Sequence, residues 1–296
     1  MKIGLIDIDS KMPNLALMKL SAYYKKVFKY KVELTGPLFA KNYDIVFASK
    51  IFTYSYMPIM EEWINIGGSG ISLKTKLKYQ IEHMMPDYSL GFTTRGCHRK
   101  CQFCIVPKKE GKIKVNADIY EFWNKKHKKI MLLDNNIFSM PDHFFKITEQ
   151  IRKEGLKVDF NQGLDHRLLT NAICKRLSEI KHEEYRFSFD DIKQKKAIFR
   201  SLKILEKHGI KRSLWYVLVG FNSTIEEDLY RLNLLRDFGQ TAYVQRYNYV
   251  QDDVYIAIAT WANQHNVFRG LTFRQYLNHP EGQKYQNLYR GIDIGK

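Results

Sequence analysis

Long hydrophobic segments are absent from the sequence. Its longest dense apolar run, from Leu214 to Phe221, is less than half of the roughly 20 residues that a membrane-spanning helix requires. The short apolar stretch at the N-terminus is interrupted by Asp7 and Asp9, which argues against a secretory signal peptide. We therefore expect a cytoplasmic protein that has no membrane partner.

Cysteine is scarce as well. The 296 residues include four cysteines, which in a cytoplasmic protein argues against a disulfide framework. Three of them, Cys97, Cys101 and Cys104, lie within eight residues, whereas Cys174 lies far away in an amphipathic stretch. This distribution predicts one metal site and one separate cysteine. We expect Cys174 in the core, with a methyl- or thiyl-carrying role as the alternative.

Acidic residues are in deficit. The chain has 48 Lys and Arg against 31 Asp and Glu, which gives a net charge of +17. Such an excess attracts polyanions, although a lysine-rich surface without a nucleic-acid partner is the alternative. Two basic runs stand out, at Lys108, Lys109, Lys112 and Lys114 and at Lys125, Lys126, Lys128 and Lys129. If they form one face, RNA or another nucleic acid is the expected partner.

Low-complexity tracts and repeats are missing, and the apolar pattern divides the chain into three parts. Residues 1–85 predict a small α/β domain, residues 86–250 alternate between strand and helix, and residues 251–296 form a C-terminal extension. In the first part the predicted elements are the strands Lys2–Ile8, Lys31–Leu34 and Tyr43–Ala48, the helix Leu15–Tyr24 and a loop at residues 66–70.

The second part predicts a parallel sheet. Its predicted strands are Leu90–Thr94, Lys129–Leu133, Lys157–Phe160, Tyr185–Phe189, Ser213–Val219 and Ala242–Tyr247. The predicted helices lie near Ala117–Lys126, Pro141–Glu154, Leu168–Ile180, Ile192–His208 and Ile225–Phe238. Alternation of this kind favours right-handed crossovers, and six strands suit a partial barrel. Ligands of such sheets bind at the carboxyl ends of the strands.

The cysteine cluster follows the first of these strands, with the spacing C-x3-C-x2-C. Thiolates on one loop at a strand end are suited to an iron–sulfur cluster, which normally has four cysteine ligands. Three ligands would leave one iron open to a small molecule. A zinc ion held by the cysteines and His98 is the alternative, and so are plain buried thiols, although Arg99 and Lys100 make the loop polar.

The motif from Cys97 to Cys104, with Phe103 as the aromatic residue before the last cysteine, resembles the signature of the radical S-adenosylmethionine (SAM) superfamily. The resemblance extends over residues 90–249 and implies a partial (βα)6 barrel. It further implies that Cys97, Cys101 and Cys104 hold a [4Fe–4S] cluster whose open iron chelates SAM. Reductive cleavage of SAM would then give a 5′-deoxyadenosyl radical, with an electron donor such as flavodoxin or ferredoxin.

Polar residues at the ends of the second and third strands are the next candidates. The resemblance assigns Asp134, Asn135 and Asn136 to the amino group of SAM, whose hydrogen bonds carboxylate and amide oxygens can accept. Further along, ribose hydroxyls would suit Asn161, Gln162 and Asp165, and a carboxylate or phosphate would suit Arg167. Turns that cap the following helices are the alternative for both groups.

The later strands contribute fewer candidates. Ser188 and Asp190 alternate with apolar residues and therefore point to one face, where a lone buried carboxylate is costly unless it binds a ligand. Gly220 follows the fifth strand and resembles the superfamily's adenine-side glycine, while Tyr247 on the sixth strand would line the adenine or substrate pocket. The candidates for a catalytic role are Asp165, Arg167 and Asp190.

The N-terminal part resembles a shrunken cobalamin-binding domain, but it lacks the Asp-x-His-x-x-Gly motif of the lower cobalt ligand, so cobalamin is not expected. It also lacks the further cluster cysteines of methylthiotransferases. Three functions remain open. The first is a radical SAM enzyme that modifies a nucleic acid or nucleotide, the second is the same chemistry on a small metabolite or peptide, and the third is a non-enzymatic zinc- or cluster-bearing nucleic-acid-binding module.

Overall fold

A computed structural model of the chain describes residues 1–249 and 251–294. The chain divides into two compact units, Met1–Leu133 and Asp134–Lys296. Each unit combines helices with parallel strands, which confirms the predicted α/β class. The three-part division stays a prediction, and residue 250, where we place its second boundary, is outside the described residues. Within the described ranges, no helix has both the length and the hydrophobicity that a bilayer crossing requires.

The first unit begins with a parallel sheet. The strands of the whole first unit are β1 (Lys2–Asp7), β2 (Lys31–Leu34), β3 (Ile45–Ser49), β4 (Asn65–Gly67), β5 (Leu90–Gly91), β6 (Thr94–Arg95), β7 (Lys114–Val115) and β8 (Lys129–Leu132). Its helices are α1 (Leu15–Phe28), α2 (Tyr79–Glu82) and α3 (Val106–Lys109). The strand order of the N-terminal sheet is β2-β1-β3-β4, and all three pairs are parallel.

The core of this sheet lies against α1. Ile3 of β1 is opposite Val32 on one side and Ile45 on the other, and it packs in one cluster with Leu17 of the helix. Burial of each such side chain contributes about 1.5–3 kcal/mol. The helix begins after Asn14, whose side-chain oxygen accepts hydrogen bonds from two backbone N–H groups of the first turn. The carboxyl ends of β1 and β3 therefore meet the start of a well-capped helix.

Two predictions for the first unit, one of a loop and one of a strand, are wrong in detail. The predicted loop at residues 66–70 begins inside β4, which pairs with β3 and adds a fourth strand to the sheet. The predicted strand Leu90–Thr94 is split into β5 and β6. The reason is that β5 pairs in parallel with β8, whereas β6 forms an antiparallel ribbon with β7.

The predicted helix Ala117–Lys126 is also wrong, because this segment contains a single 3-10 turn, Ile119–Glu121. After the turn, the backbone N–H of Asn124 donates to the hydroxyl of Ser89 at 2.9 Å. The Trp123 indole donates to the carbonyl of His127 at 2.9 Å. These contacts hold the backbone in a non-helical path despite its helical apolar spacing.

The second unit contains most of the predicted alternation. Its strands are β9 (Lys157–Phe160), β10 (Lys181–His182), β11 (Arg186–Ser188), β12 (Leu214–Val219) and β13 (Thr241–Arg246). Its helices are α4 (Pro141–Lys153), α5 (Asn171–Glu179), α6 (Lys195–Lys207), α7 (Ile225–Asp237), α8 (Asp253–Asn263), α9 (His265–Gly270) and α10 (Phe273–Asn278). Strands β9 and β10 pair in parallel, and β11, β12 and β13 form a parallel sheet in that order.

One face of the sheet of β11, β12 and β13 has an apolar, buried centre. Phe187, Trp215 and Ala242 lie side by side in register, and each is completely buried. Two of the predicted helices, α4 and α7, are confirmed, and each ends one residue before its predicted end. Pro141 occupies the first turn of α4, and Thr224 caps α7 in a capping box with Glu227.

The C-terminal helices cover the outer edge of β13. The Asn263 side chain at the end of α8 accepts a hydrogen bond from the Val244 N–H at 2.6 Å and donates to the Val244 carbonyl at 3.1 Å. An amide side chain thus replaces the neighbouring strand that β13 lacks on this side. The residues that the sequence pattern could not place therefore close the edge of the sheet.

Candidate functional site

The cysteine loop, defined as residues 96–104, starts from the antiparallel ribbon of β6 and β7. Thr94 lies opposite Val115, and Arg95 lies opposite Lys114. Gly96 begins the loop with φ +83°, and a Cβ there would lie 2.4 Å from the carbonyl oxygen of Lys112. Only glycine fits this close approach. The loop therefore begins at a ribbon end, not directly at the parallel strand that the sequence predicts.

Glu110 fixes the start of the cysteine loop. Its side chain is 7% exposed, accepts a hydrogen bond from the Gly96 N–H at 2.9 Å and pairs with the Arg95 guanidinium at 3.3 Å. The N–H of Cys97 donates to the carbonyl of Gly111 at 3.2 Å. Protein groups thus hold the chain before and after the cysteines.

The three clustered cysteines are half-buried and form no disulfide bond. The Cys104 N–H donates to the carbonyl of Cys101 at 3.0 Å, which turns the chain into α3. The Arg99 N–H donates to the sulfur of Cys97 at 3.3 Å. The thiolate is the form of cysteine that binds metal.

The donor set of the loop fits three of the four thiolates that hold a [4Fe–4S] cluster. In such a cube each thiolate binds a different iron, so the three sulfur atoms need not converge on one point. Within the part of the chain that the structure describes, no group of three or more His, Cys, Asp or Glu is placed to hold a single metal ion. His98, the fourth ligand of the zinc alternative, is exposed, and Phe103 is half-buried.

In the second unit, the structure joins two of the predicted groups into one polar network. Buried Asn136 donates from its amide to the Asp165 carboxylate at 3.1 Å. The same carboxylate accepts from the Arg167 guanidinium at 2.6 Å, and it also caps the 3-10 turn His166–Leu168. The capping alternative for Asp165 is therefore confirmed: one oxygen serves the turn, the other accepts from Asn136, and its ribose role stays a prediction.

The remaining residues of these two groups differ in exposure. Asp134 is buried and Asn135 is half-buried. Asn161 is half-buried, Gln162 is exposed, and the two amides contact each other at 3.3 Å. Asp134 and Asn136 are thus more buried than Asn161 and Gln162.

Ser188 and Asp190 lie on the face of the sheet opposite the buried residues Phe187 and Phe189. Asp190 accepts a hydrogen bond from the Leu218 N–H at 3.1 Å. Burial raises the pKa of Asp190, and the hydrogen bonds from Leu218 and Ser188 and the charges of Arg231 and Arg167 oppose part of this effect. The charge of Arg167 lowers the pKa of Asp190, so these two residues, at the ends of the third and fourth predicted strands, lie within electrostatic range of each other.

Other residues of this face are polar too. Arg186 forms an ion pair with buried Asp159, and in the adjacent strands Tyr216 and Tyr243 lie opposite Ser188 with ring centroids 6.0 Å apart. Burial raises the pKa of Tyr216. One face of the sheet is therefore an aromatic core and the other carries ionisable groups, which is typical of a ligand-binding surface.

Gly220 and Tyr247 are placed by tertiary contacts. Gly220 has φ +74°, and a Cβ there would lie 3.2 Å from the ring of Tyr255 in α8. The predicted sixth strand is wrong at its end, because β13 stops at Arg246 and Tyr247 lies in the following 3-10 turn. The half-buried ring of Tyr247 packs against Phe221 with centroids 4.6 Å apart.

Sequence reasoning missed a buried ion pair below these strand ends. Asp228 and Arg231 of α7 are both fully buried. The Arg231 guanidinium donates to the carbonyls of Phe189 and Leu218, while Asp228 accepts from the Gly220 N–H at 3.0 Å. One arginine therefore ties β11 and β12 together beside Asp190. The available signal was an acid and an arginine three residues apart among apolar residues.

Cys174 is completely buried in α5, and burial raises its pKa to about 11. A thiol with such a pKa carries very little thiolate at neutral pH. Its surroundings are those of a core residue.

The substitution Asp190→Asn is expected to stabilise the fold at neutral pH by about 1 kcal/mol. The amide still accepts the Leu218 N–H but carries no charge in a buried position. Folding raises the pKa of wild-type Asp190, so its ionisation costs folding stability. Below its ordinary pKa of 3.8 the group is protonated in both states and the cost is absent. The cost grows as the pH rises through the raised value. Thermal unfolding across this range should show the two proteins converging at acidic pH, and a constant difference would contradict the assignment.

The sequence matches no family model, and a search of curated proteins finds no relative.

Proposed function

We propose that this protein is a radical SAM enzyme with a partial (βα)6 barrel. Cys97, Cys101 and Cys104 would hold a [4Fe–4S] cluster. A bound cluster would supply the one-electron reduction that cleaves SAM and starts hydrogen abstraction from the substrate. The observation that carries the proposal is the loop itself, where three half-buried thiols lie on a backbone fixed by Gly96 and Glu110.

The polar strand ends of the second unit support the SAM-binding part of the proposal. Asp134, Asn135 and Asn136 offer oxygens that can accept hydrogen bonds from an ammonium group. The remaining assignments are Asn161 and Gln162 to the ribose hydroxyls, Gly220 and Tyr247 to the adenine, and Ser188 to the inner wall of the site. Arg167 is held by Asp165, so its guanidinium is oriented before a carboxylate or phosphate arrives.

Asp190 is the residue best suited to hold or release a proton. Its carboxyl lies near Ser188 and Arg167, and burial raises its pKa, which favours the protonated form of the group. With Asp165 and Arg167 it remains a candidate for the catalytic role.

A nucleic acid or nucleotide is the proposed substrate. Lysines after the cysteine loop and before β8 are exposed, namely Lys108, Lys112, Lys114, Lys125, Lys126, Lys128 and Lys129. Together with the net charge of +17, they favour a polyanionic partner. The same chemistry on a metabolite or peptide is the second candidate, and an electron donor such as flavodoxin or ferredoxin is required in either case.

Anaerobic incubation of the iron-loaded protein with SAM and a strong reductant tests the proposal. We expect 5′-deoxyadenosine and methionine as products, detected by mass spectrometry and absent when the reductant is omitted. A non-enzymatic zinc- or cluster-bearing module predicts neither product. Failure of the fully loaded wild-type protein to form 5′-deoxyadenosine would therefore replace the enzyme with that module.

A further inference from the structure

A buried lysine lies at the carboxyl edge of the N-terminal sheet. Lys50 directly follows β3 and is 7% exposed. Its ammonium has three donors, and its hydrogen bond goes to the carbonyl of Thr53 at 3.5 Å, the outer limit for such a bond. None of the ion pairs in the described part of the chain includes Lys50. A buried cation in this state is costly, and an anion is the group that would satisfy it.

A glycine-rich turn, residues 67–70, runs alongside Lys50. A Cβ on Gly68 would lie 2.1 Å from the Lys50 carbonyl oxygen, and a Cβ on Gly70 would lie 2.7 Å from the carbonyl oxygen of Phe52. The Gly70 N–H donates to the Lys50 carbonyl at 3.0 Å. The glycines of the turn therefore pack closely against the backbone and Cγ of Lys50. Glycine-rich turns allow a ligand to approach the backbone closely, as phosphate-binding loops do.

Two aromatic rings lie next to this turn. Phe52 and Tyr54 are stacked with centroids 5.2 Å apart and planes at 25°, and they are 39% and 49% exposed. Their segment is fixed by Asp9, whose carboxylate accepts from the N–H groups of Ile51 and Phe52, both at 2.8 Å. Stacked, exposed rings on a rigid segment form a platform suited to a nucleobase.

The same turn contacts the segment that carries the clustered cysteines. The ammonium of Lys109, in α3, donates to the hydroxyl of Ser69. Burial lowers the pKa of Lys109, the nearby charge of Arg95 acts in the same direction, and Glu110 opposes both. The turn thus contacts two lysines. Lys50 directly follows β3 of the N-terminal sheet, and Lys109 follows Cys104 by five residues.

We propose that Lys50, the turn at residues 67–70 and the rings of Phe52 and Tyr54 bind a nucleoside phosphate. The phosphate lies on the Lys50 ammonium and the turn, and the base stacks on the aromatic pair. The ligand is either a free nucleotide or one nucleotide of a single strand. As a substrate site this inference rests on the proposed function, whereas as a binding site it stands independently of it.

The test is a binding measurement on the full chain at low salt with inorganic phosphate, adenosine and uridine monophosphates, and a short single-stranded RNA. We expect the monophosphates to bind about tenfold more tightly than phosphate. Lys50→Met should weaken nucleotide binding about tenfold, while Lys207→Met, an exposed lysine of α6, should leave it unchanged. Replacing both Phe52 and Tyr54 by alanine should reduce nucleotide affinity to that of inorganic phosphate.

If the RNA binds more tightly than the monophosphates and salt weakens its binding, the ligand is one nucleotide of a single strand. If the RNA and the monophosphates bind with equal affinity, the ligand is a free nucleotide. Absence of nucleotide binding by the wild-type chain, or wild-type affinity in Lys50→Met, would overturn the inference. The binding is measured again in Cys101→Ala, where it should persist. Nucleotide binding without SAM cleavage would refute the proposed function and keep this site, and the reverse result would refute this site alone.

Discussion

Replacing Cys101 by alanine is expected to remove nearly all bound iron and to reduce SAM cleavage to background. A [4Fe–4S] cluster normally has four thiolate ligands, and this loop supplies three, so the loss of the middle one leaves two of the four corners unprotected. The loop backbone should survive, because Gly96 and Glu110 hold it through contacts that do not involve Cys101. Iron and sulfide content per chain after anaerobic loading measures the effect, together with 5′-deoxyadenosine formation.

Cys174→Ala is the matched control, since it removes one thiol from the same chain outside the loop. Cys174 is buried in α5, so its truncation should cost about 1 kcal/mol of stability and leave the iron content unchanged. The proposal fails if Cys101→Ala retains iron at the wild-type ratio. It also fails if wild-type protein prepared without oxygen contains zinc and no iron.

The cysteine loop was predictable because covalent spacing alone brings its three thiols together. The contacts that hold the loop in place could not be predicted. The ribbon pairs Thr94 with Val115, and Glu110 reaches back to Gly96, so both contacts depend on residues that are distant along the chain. Two-residue strands such as β6 and β7 carry no periodicity that a sequence pattern could reveal.

Long elements were predicted better than short ones. The apolar run of β12 and the capping box at Thr224 each carry several local signals that agree, and the structure contains both elements. The stretch Ala117–Lys126 has helical spacing but no helix, because the contacts of Trp123 and Asn124 outweigh a propensity that is worth only tenths of a kcal/mol per residue.

The polar strand ends could be predicted as a set, but their pairing could not. Parallel strands place their carboxyl ends at one edge, which is why Asp165 and Asp190 were candidates. That Asn136 contacts Asp165 depends on loop paths that the sequence pattern does not determine. Arg231 was missed for a different reason. An arginine on a helix is normally exposed, and its burial depends on two carbonyls from other elements.

Arg231→Met is expected to destabilise the protein by about 3–5 kcal/mol, the cost of leaving a buried charge without its partner. The change strands the Asp228 carboxylate in the core and removes the donors to the carbonyls of Phe189 and Leu218. Chemical denaturation measures the loss. Because Arg231 also opposes the raised pKa of Asp190, the variant should shift the titration of that carboxyl further upward.

Arg152→Met is the matched control, because Arg152 pairs with Glu149 at the same spacing of three residues but is 53% exposed. An exposed pair of this kind contributes little to stability, because water screens the two charges. The double variant Asp228→Asn with Arg231→Met should be more stable than Arg231→Met alone, since the amide keeps an acceptor for the Gly220 N–H and carries no charge. If Arg231→Met costs no more than Arg152→Met, the buried pair does not hold the ends of β11 and β12 together.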